Sequence, residues 1–161
     1  FTTPITNRDE EYAAMMVLCT IFGSGMTSKL FVNVREKLSL CYNVGSTYTG
    51  SKGIVAVYAG IDFDKEQQTR EEILRQLDAM CRGEITETEM TAARESIRSG
   101  LYSVTDTPGG IEGYHMSAAM LGYNADRDAR LAALEAVTVE QVARAAQQLR
   151  LHTTYFLKGE N

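Results

Sequence analysis

"YNVGSTYTGSKGIVAVYAGID", Tyr42 to Asp62, is the best strand–turn–strand signal in the chain. Residues 42–49 and 54–61 are rich in Tyr, Val, Thr and Ile, which suit a pleated, half-buried surface. "GSKG" lies between them. Two such runs joined by a short glycine-containing turn predict an antiparallel hairpin. Alternation puts Val44, Ser46 and Tyr48 on one face and Val55, Val57, Ala59 and Ile61 on another.

Working outward, the sequence before the hairpin reads as helical. "YAAMMVLCTIF", Tyr12 to Phe22, is apolar nearly all round and predicts a helix buried over most of its surface. Gly23 and Gly25 break it. The spacing of Leu30, Phe31 and Val34 predicts a second helix over 27–37, closed by Arg35, Glu36 and Lys37. Asn7 or Asp9 is a candidate cap for the first helix, and Ser24 or Thr27 for the second. Residues 1–5 read as the end of a strand.

After the hairpin, Ile73, Leu74, Leu77, Met80 and Cys81 form one stripe of a helix over 64–82, with Gly83 as its stop. Thr86 with Glu89 and Thr138 with Gln141 match capping boxes, each opening a helix. Met90, Ala93, Ile97, Leu101 and Val104 form the stripe behind the first box. Val139, Val142, Ala143, Ala146 and Leu149 form the stripe behind the second. "DTPGG", 106–110, reads as a loop, followed by a helix over 110–121 that ends near Gly122. "HTTYFLKG", 152–159, reads as a final strand. This order predicts an α+β fold: a two-layer sandwich with a largely antiparallel sheet and helices packed on one face. We read residues 1–161 as one domain and, since the chain lacks an initiator Met, as a fragment of a longer one.

Composition narrows the function. The 161 residues are 44% hydrophobic and 23% charged, ordinary for a globular domain. A net charge of −5 argues against nucleic acid or an anionic membrane as the main partner. No apolar run approaches the roughly 20 residues of a membrane span, and no signal peptide is visible. A cytoplasmic location is therefore expected. Cys19, Cys41 and Cys81 are odd in number and widely spaced, which fits free thiols in a reducing compartment.

The stretch "FGSGMTSKLFVNVREKLSLCY", Phe22 to Tyr42, holds the candidate chemical motifs. A phosphate loop opening at Gly23 needs Gly at 28, Lys at 29 and Ser or Thr at 30. Lys29 fits; Ser28 and Leu30 do not, and the loop follows a helix where a strand is required. A dinucleotide fingerprint fails at Ser28 too. The simpler reading is that Gly23, Gly25 and Ser28 form a structural bend. No catalytic residue is expected within the chain. Its two histidines, His115 and His152, stand outside any H-x-x-E-H or H-E-x-x-H pattern, so no metal ligand is assigned. His115 reads as a partly buried helical residue and His152 as a surface one. Arg35 suits a helix C-terminus electrostatically, and Tyr42 suits a strand start.

The combined pattern does more than its parts. The glycine-rich bend, then Ser28, Leu30 and Phe31, then Arg35, Glu36 and Lys37, then Leu40 and Tyr42, resembles the C-terminal-type "inactive" domain of the pitrilysin/insulysin zinc metallopeptidases. That family also contains mitochondrial processing peptidase. Weaker similarity continues through "EITETEM", "DTPGGI" and "LEAVTVEQVARAA". The resemblance implies a non-catalytic domain that shapes a peptide-binding cavity, with zinc on a sister domain or subunit. It implies that Arg35 and Tyr42 bind substrate there. Arg offers a rigid fork of donors, and Tyr can donate its phenolic proton to the oxyanion formed as the amide is attacked. Some bacterial members with a degenerate zinc motif carry a label for elongation-factor-P modification, and pair with a sister that keeps the motif. The alternative is a pseudoenzyme that binds a peptide or protein without proteolysis. One departure stands out: Ser39 occupies a position where the family usually has Gly.

Overall fold

The first helix, α1 (Tyr12–Gly23), has no polar face and becomes the axis of the fold. The computed structural model describes residues 1–159. After α1 come a π-helical segment (Leu30–Lys37), strands β1 (Asn43–Thr49) and β2 (Ile54–Gly60), and a 3-10 turn (Phe63–Lys65). Helices α2 (Glu66–Cys81), α3 (Glu87–Ser103), α4 (Pro108–Leu121), α5 (Arg127–Glu135) and α6 (Val139–Gln147) follow. α1 buries Met15, Val17, Leu18, Ile21 and Phe22 against α3, α6 and β1. Burying one such side chain contributes about 1.5–3 kcal/mol, so this helix dominates the core.

The hairpin forms as the sequence predicts. β1 and β2 pair antiparallel, from Asn43 opposite Gly60 to Thr49 opposite Ile54. Val44 faces Ala59, Ser46 faces Val57 and Tyr48 faces Val55, so the two expected stripes lie on the same face of the sheet. Val55 and Ser46 are buried there, with Val44, Tyr48 and Val57 against the core.

The two-layer sandwich does not form. Most of the chain is helical, and among the described residues the sheet has two strands. Residues 1–5 supply isolated bridges instead of a strand: Thr2 pairs with Ile54 on one side and Arg150 on the other. Residues 152–159 form no strand. A β-rich composition produces a strand only where backbone groups meet a neighbour's ladder. Past Arg150, residues 151–157 and β2 instead flank a groove of about 880 Å³. Side chains hold this segment: Phe156 meets Phe63 edge-to-face at 6.3 Å, and the Lys158 ammonium lies 5.3 Å from the Phe63 ring centre.

Local signals explain most helix boundaries. Both capping boxes form, Thr86 with Glu89 and Thr138 with Gln141. α4 begins inside the stretch read as a loop, because Thr107 accepts the Gly110 N–H and Pro108 takes the first helical position. α5 has no counterpart in the sequence reading, yet "DRDARLAALE" carried its signal: Asp126 accepts from the N–H groups of Asp128 and Ala129. Neither Asn7 nor Asp9 caps α1. The Asp9 carboxylate accepts from the Thr6 N–H and hydroxyl, both at 2.7 Å, closing a turn ahead of the helix.

Buried polar groups tie the helices together. Lys29, just before the π-helical segment, forms an ion pair with Glu89 of α3 at 2.9 Å. Asn33 donates to Gln76 at 2.8 Å, and Gln76 donates to Glu72 at 2.6 Å, linking the π-helical segment to α2.

Candidate functional site

The chain passes from α1 to the π-helical segment through Gly23, Gly25 and Ser28. Gly23 lies against β1 so closely that a Cβ would sit 2.6 Å from both the backbone nitrogen and Oγ of Ser46. Gly25 adopts φ +94°, a region L side chains rarely enter. The cap of the following segment is Ser28, not Ser24 or Thr27. The Ser28 hydroxyl donates to the Gly25 carbonyl at 2.8 Å and accepts the Phe31 N–H at 3.4 Å.

The segment after the bend is π-helical over Leu30–Lys37, a form concentrated at functional positions. It closes with the Leu40 N–H on the Val34 carbonyl and the Ser39 N–H on the Arg35 carbonyl, both at 3.0 Å. Ser39 has φ +49°, in the left-handed region. The chain then reverses into β1, where the Tyr42 N–H donates to the Gly60 carbonyl at 2.8 Å.

This reversal brings Arg35 and Tyr42 to one cleft of about 370 Å³, shared with Glu36, Ser39, Asp62 and Lys65. Arg35 Nε donates to the Tyr42 carbonyl at 2.9 Å, its Nη1 lies 3.2 Å from Glu36, and its guanidinium sits 4.7 Å from the Phe31 ring centre. The guanidinium therefore lies over an aromatic face, with its Nε held to the Tyr42 carbonyl just before β1. Tyr42 is 70% exposed, and its hydroxyl donates to Asp62 Oδ1 at 2.7 Å. Lys65 lies 3.4 Å from Asp62 Oδ2 and donates to the Ser39 carbonyl at 3.2 Å.

The electrostatics follow from these contacts. Donation to the Asp62 carboxylate, and then its negative charge, push the Tyr42 hydroxyl above its ordinary pKa. The same bond, with that from Lys65, holds Asp62 below the usual carboxylate value. The cleft thus keeps a protonated phenol beside an ionised carboxylate at neutral pH. Sequence reasoning missed Asp62 and Lys65. The hairpin register could have supplied Asp62: once Asn43 faces Gly60, the residues flanking that pair must be close.

The other candidates separate from this cleft. Lys29 is committed to Glu89, which removes it from any phosphate-binding role. His115 is exposed, not partly buried as expected, and His152 is exposed with Nδ1 2.7 Å from Thr153 Oγ1. Cys19 is buried, and desolvation pushes its thiol up to about 12. Cys41 and Cys81 are partly buried, and all three cysteines are free thiols. Among the described residues no three His, Cys, Asp or Glu side chains group in a way that could hold a metal ion. The zinc implied by the resemblance does not fit this chain's own side chains.

Comparison with known proteins agrees on the class. The family described as "Peptidase M16 inactive domain" matches residues 1–97, and the chain belongs to that family. This is the pitrilysin/insulysin family read from Ser28 to Tyr42. The chain is similar to a probable inactive metalloprotease of Bacillus subtilis, YmfF. The two are 35% identical over 159 residues, which cover 99% of this chain and 37% of the relative. YmxG, an uncharacterized zinc protease of the same organism, is 30% identical over 138 residues, covering 84% of this chain and 34% of its own. Among solved structures, a conserved protein of Enterococcus faecalis superposes with a TM-score of 0.85 at 28% identity, covering 91% of this chain and 35% of that one. The peptidase M16 inactive domain from Pseudomonas fluorescens shares the fold, with a TM-score of 0.75 at 22% identity; 92% of this chain and 36% of that one are covered. The chain spans about a third of the length of each of these relatives.

Proposed function

We propose that this domain forms one wall of the peptide-binding cavity of an M16-type zinc peptidase, and lends Arg35 and Tyr42 to a zinc site on a sister domain or subunit. The observation that carries this reading is the convergence of both side chains on one open cleft. Arg35 is pre-oriented by Phe31 and the Tyr42 carbonyl to donate to a substrate carbonyl or carboxylate. Tyr42 is protonated and solvent-facing, so turning from Asp62 lets its hydroxyl donate to the oxyanion of an amide under attack. Asp62 holds the phenol in its donating form until substrate arrives.

The test mixes the full-length protein with its zinc-bearing sister and follows peptide hydrolysis. Arg35→Ala and Tyr42→Phe are each expected to lower turnover by about 10²-fold, the scale of a lost oxyanion donor. Unchanged turnover in both variants would overturn the assisting role.

The name of the similar Bacillus subtilis protein, a probable inactive metalloprotease, favours a second reading. In it the cleft binds a peptide or protein segment and no hydrolysis follows. That reading expects partner binding that weakens in Arg35→Ala, with no cleavage under any pairing.

A further inference from the structure

On the helical side, apart from the Arg35–Tyr42 cleft, a cavity of about 490 Å³ opens between the start of α1, the C-terminal half of α3 and α5. It shares no residue with that cleft. Its size lies within the range of small-molecule sites. Its floor is apolar: Met16 of α1, Ile97 and Leu101 of α3, and Ala133 of α5. Here the partly buried Tyr12, Ala13 and Met16 of α1 face residues of α3 and α5 across the cavity.

Four charged residues line the cavity, Arg8, Asp9, Glu10 and Arg130. The Arg130 guanidinium lies 5.5 Å from the ring centre of Tyr12, 5.6 Å from that of Tyr114 and 5.2 Å from that of Tyr123. Its Nη1 donates to the Tyr114 hydroxyl at 3.3 Å. Among the described residues no carboxylate lies within ion-pair distance of it. A half-buried guanidinium with five donors ordinarily finds an anion. At the rim, Arg8 is likewise without a carboxylate, and its Nε donates to the Leu121 carbonyl at 2.6 Å. Of the two rim acids, Asp9 has turned its carboxylate back onto Thr6, and Glu10 is exposed to solvent.

We propose that this cavity binds a small carboxylate carried on an apolar body, with the carboxylate on Arg130 and the apolar part on Met16, Ile97, Leu101 and Ala133. Three tyrosine rings and the bond to the Tyr114 hydroxyl hold the guanidinium in this wall, and a guanidinium suits a planar, two-oxygen acceptor. The apolar floor excludes a bare inorganic anion as the preferred occupant, because such a ligand would leave that surface wet. A free fatty acid of medium length and the C-terminus of a short apolar peptide both have this chemistry.

The experiment titrates the full-length protein with sodium decanoate, decanol, trileucine and trileucine amide, read by calorimetry. The wild type is expected to bind decanoate or trileucine at least tenfold more tightly than decanol or the amide. Binding of decanoate alone assigns a free acid, and binding of trileucine alone assigns a peptide terminus. Arg130→Gln is expected to remove the preference for the carboxylate. Ala133→Leu, which narrows the floor while leaving Arg130 in place, is expected to weaken every ligand that binds. Circular dichroism checks that both variants fold, and Ala133→Leu together with the wild-type series decides the matter if Arg130→Gln does not. Equal affinity for acid and alcohol, unchanged affinity in a folded Arg130→Gln or Ala133→Leu, or no binding at millimolar ligand would overturn the proposal.

Discussion

Ser39 holds the left-handed backbone between the π-helical segment and β1, with φ +49°. An L side chain in this region costs about 1–2 kcal/mol, partly offset on replacement by the greater unfolded-state freedom of glycine. Ser39→Gly is therefore expected to raise unfolding free energy by about 0.5–1 kcal/mol in urea titrations. A fall would show that the Ser39 side chain contributes something its geometry does not reveal. Three residues on, the Tyr42 hydroxyl is held above its reference value of 10.0 by its bond to Asp62 and then by the charge of that residue. Ionising the phenol would lose the bond and set two negative charges side by side. Asp62→Asn removes that charge, so ultraviolet titration is expected to show the Tyr42 pKa falling. No change in that titration would mean that Asp62 does not govern the phenol.

At the scale of elements, the close approach of α1 to β1 is what aims the bend. Gly23→Ala would place a methyl group 2.6 Å from Ser46 N and Oγ, in contact with backbone that cannot swing away. Overpacking of this kind typically costs about 1–3 kcal/mol. A drop in thermal midpoint is expected, accompanied by weaker packing of β1 on α1. An unshifted midpoint would show that the hairpin can slide without penalty. The π-helical segment depends on the same junction, since Ser28 begins it from within the bend. The two capping boxes act more locally; each fixes where a helix begins without deciding what it packs against.

Across the whole molecule, Lys29 and Glu89 join the bend to the helical body. Burial raises the Glu89 carboxyl, but the Thr86 backbone N–H and the Lys29 ammonium outweigh it and leave the pKa lowered from 4.5. The sign follows: a depressed acid stabilises the fold above its unfolded value, and that contribution is lost as pH falls through its folded value. Lys29→Met is expected to cost about 1–2 kcal/mol at neutral pH, less than for a fully buried pair because both groups keep some solvent contact. The cost should shrink as the solution is taken toward about pH 3. Denaturation at both pH values measures it, and an equal cost at both would assign the effect to packing of the lysine stem.

The sequence by itself determined the elements whose signals are local. The hairpin followed from alternation and a glycine turn, α1 from its unbroken apolar surface, and α3 and α6 from Thr86–Glu89 and Thr138–Gln141. Arg35 and Tyr42 were singled out only by the resemblance of Gly23–Tyr42 to the pitrilysin/insulysin family; that both line one cleft was decided by the tertiary structure. Tertiary structure decided the rest. "HTTYFLKG" has the composition of a strand, but pairing requires a second chain segment at hydrogen-bonding distance, and residues 151–157 instead face the groove beside β2. No pattern within one segment encodes its distance from another. For the same reason Asp62, twenty positions from Tyr42, became part of the cleft only through the register of the hairpin. Arg130 and its three tyrosines likewise came together only when α1, α4 and α5 folded against one another.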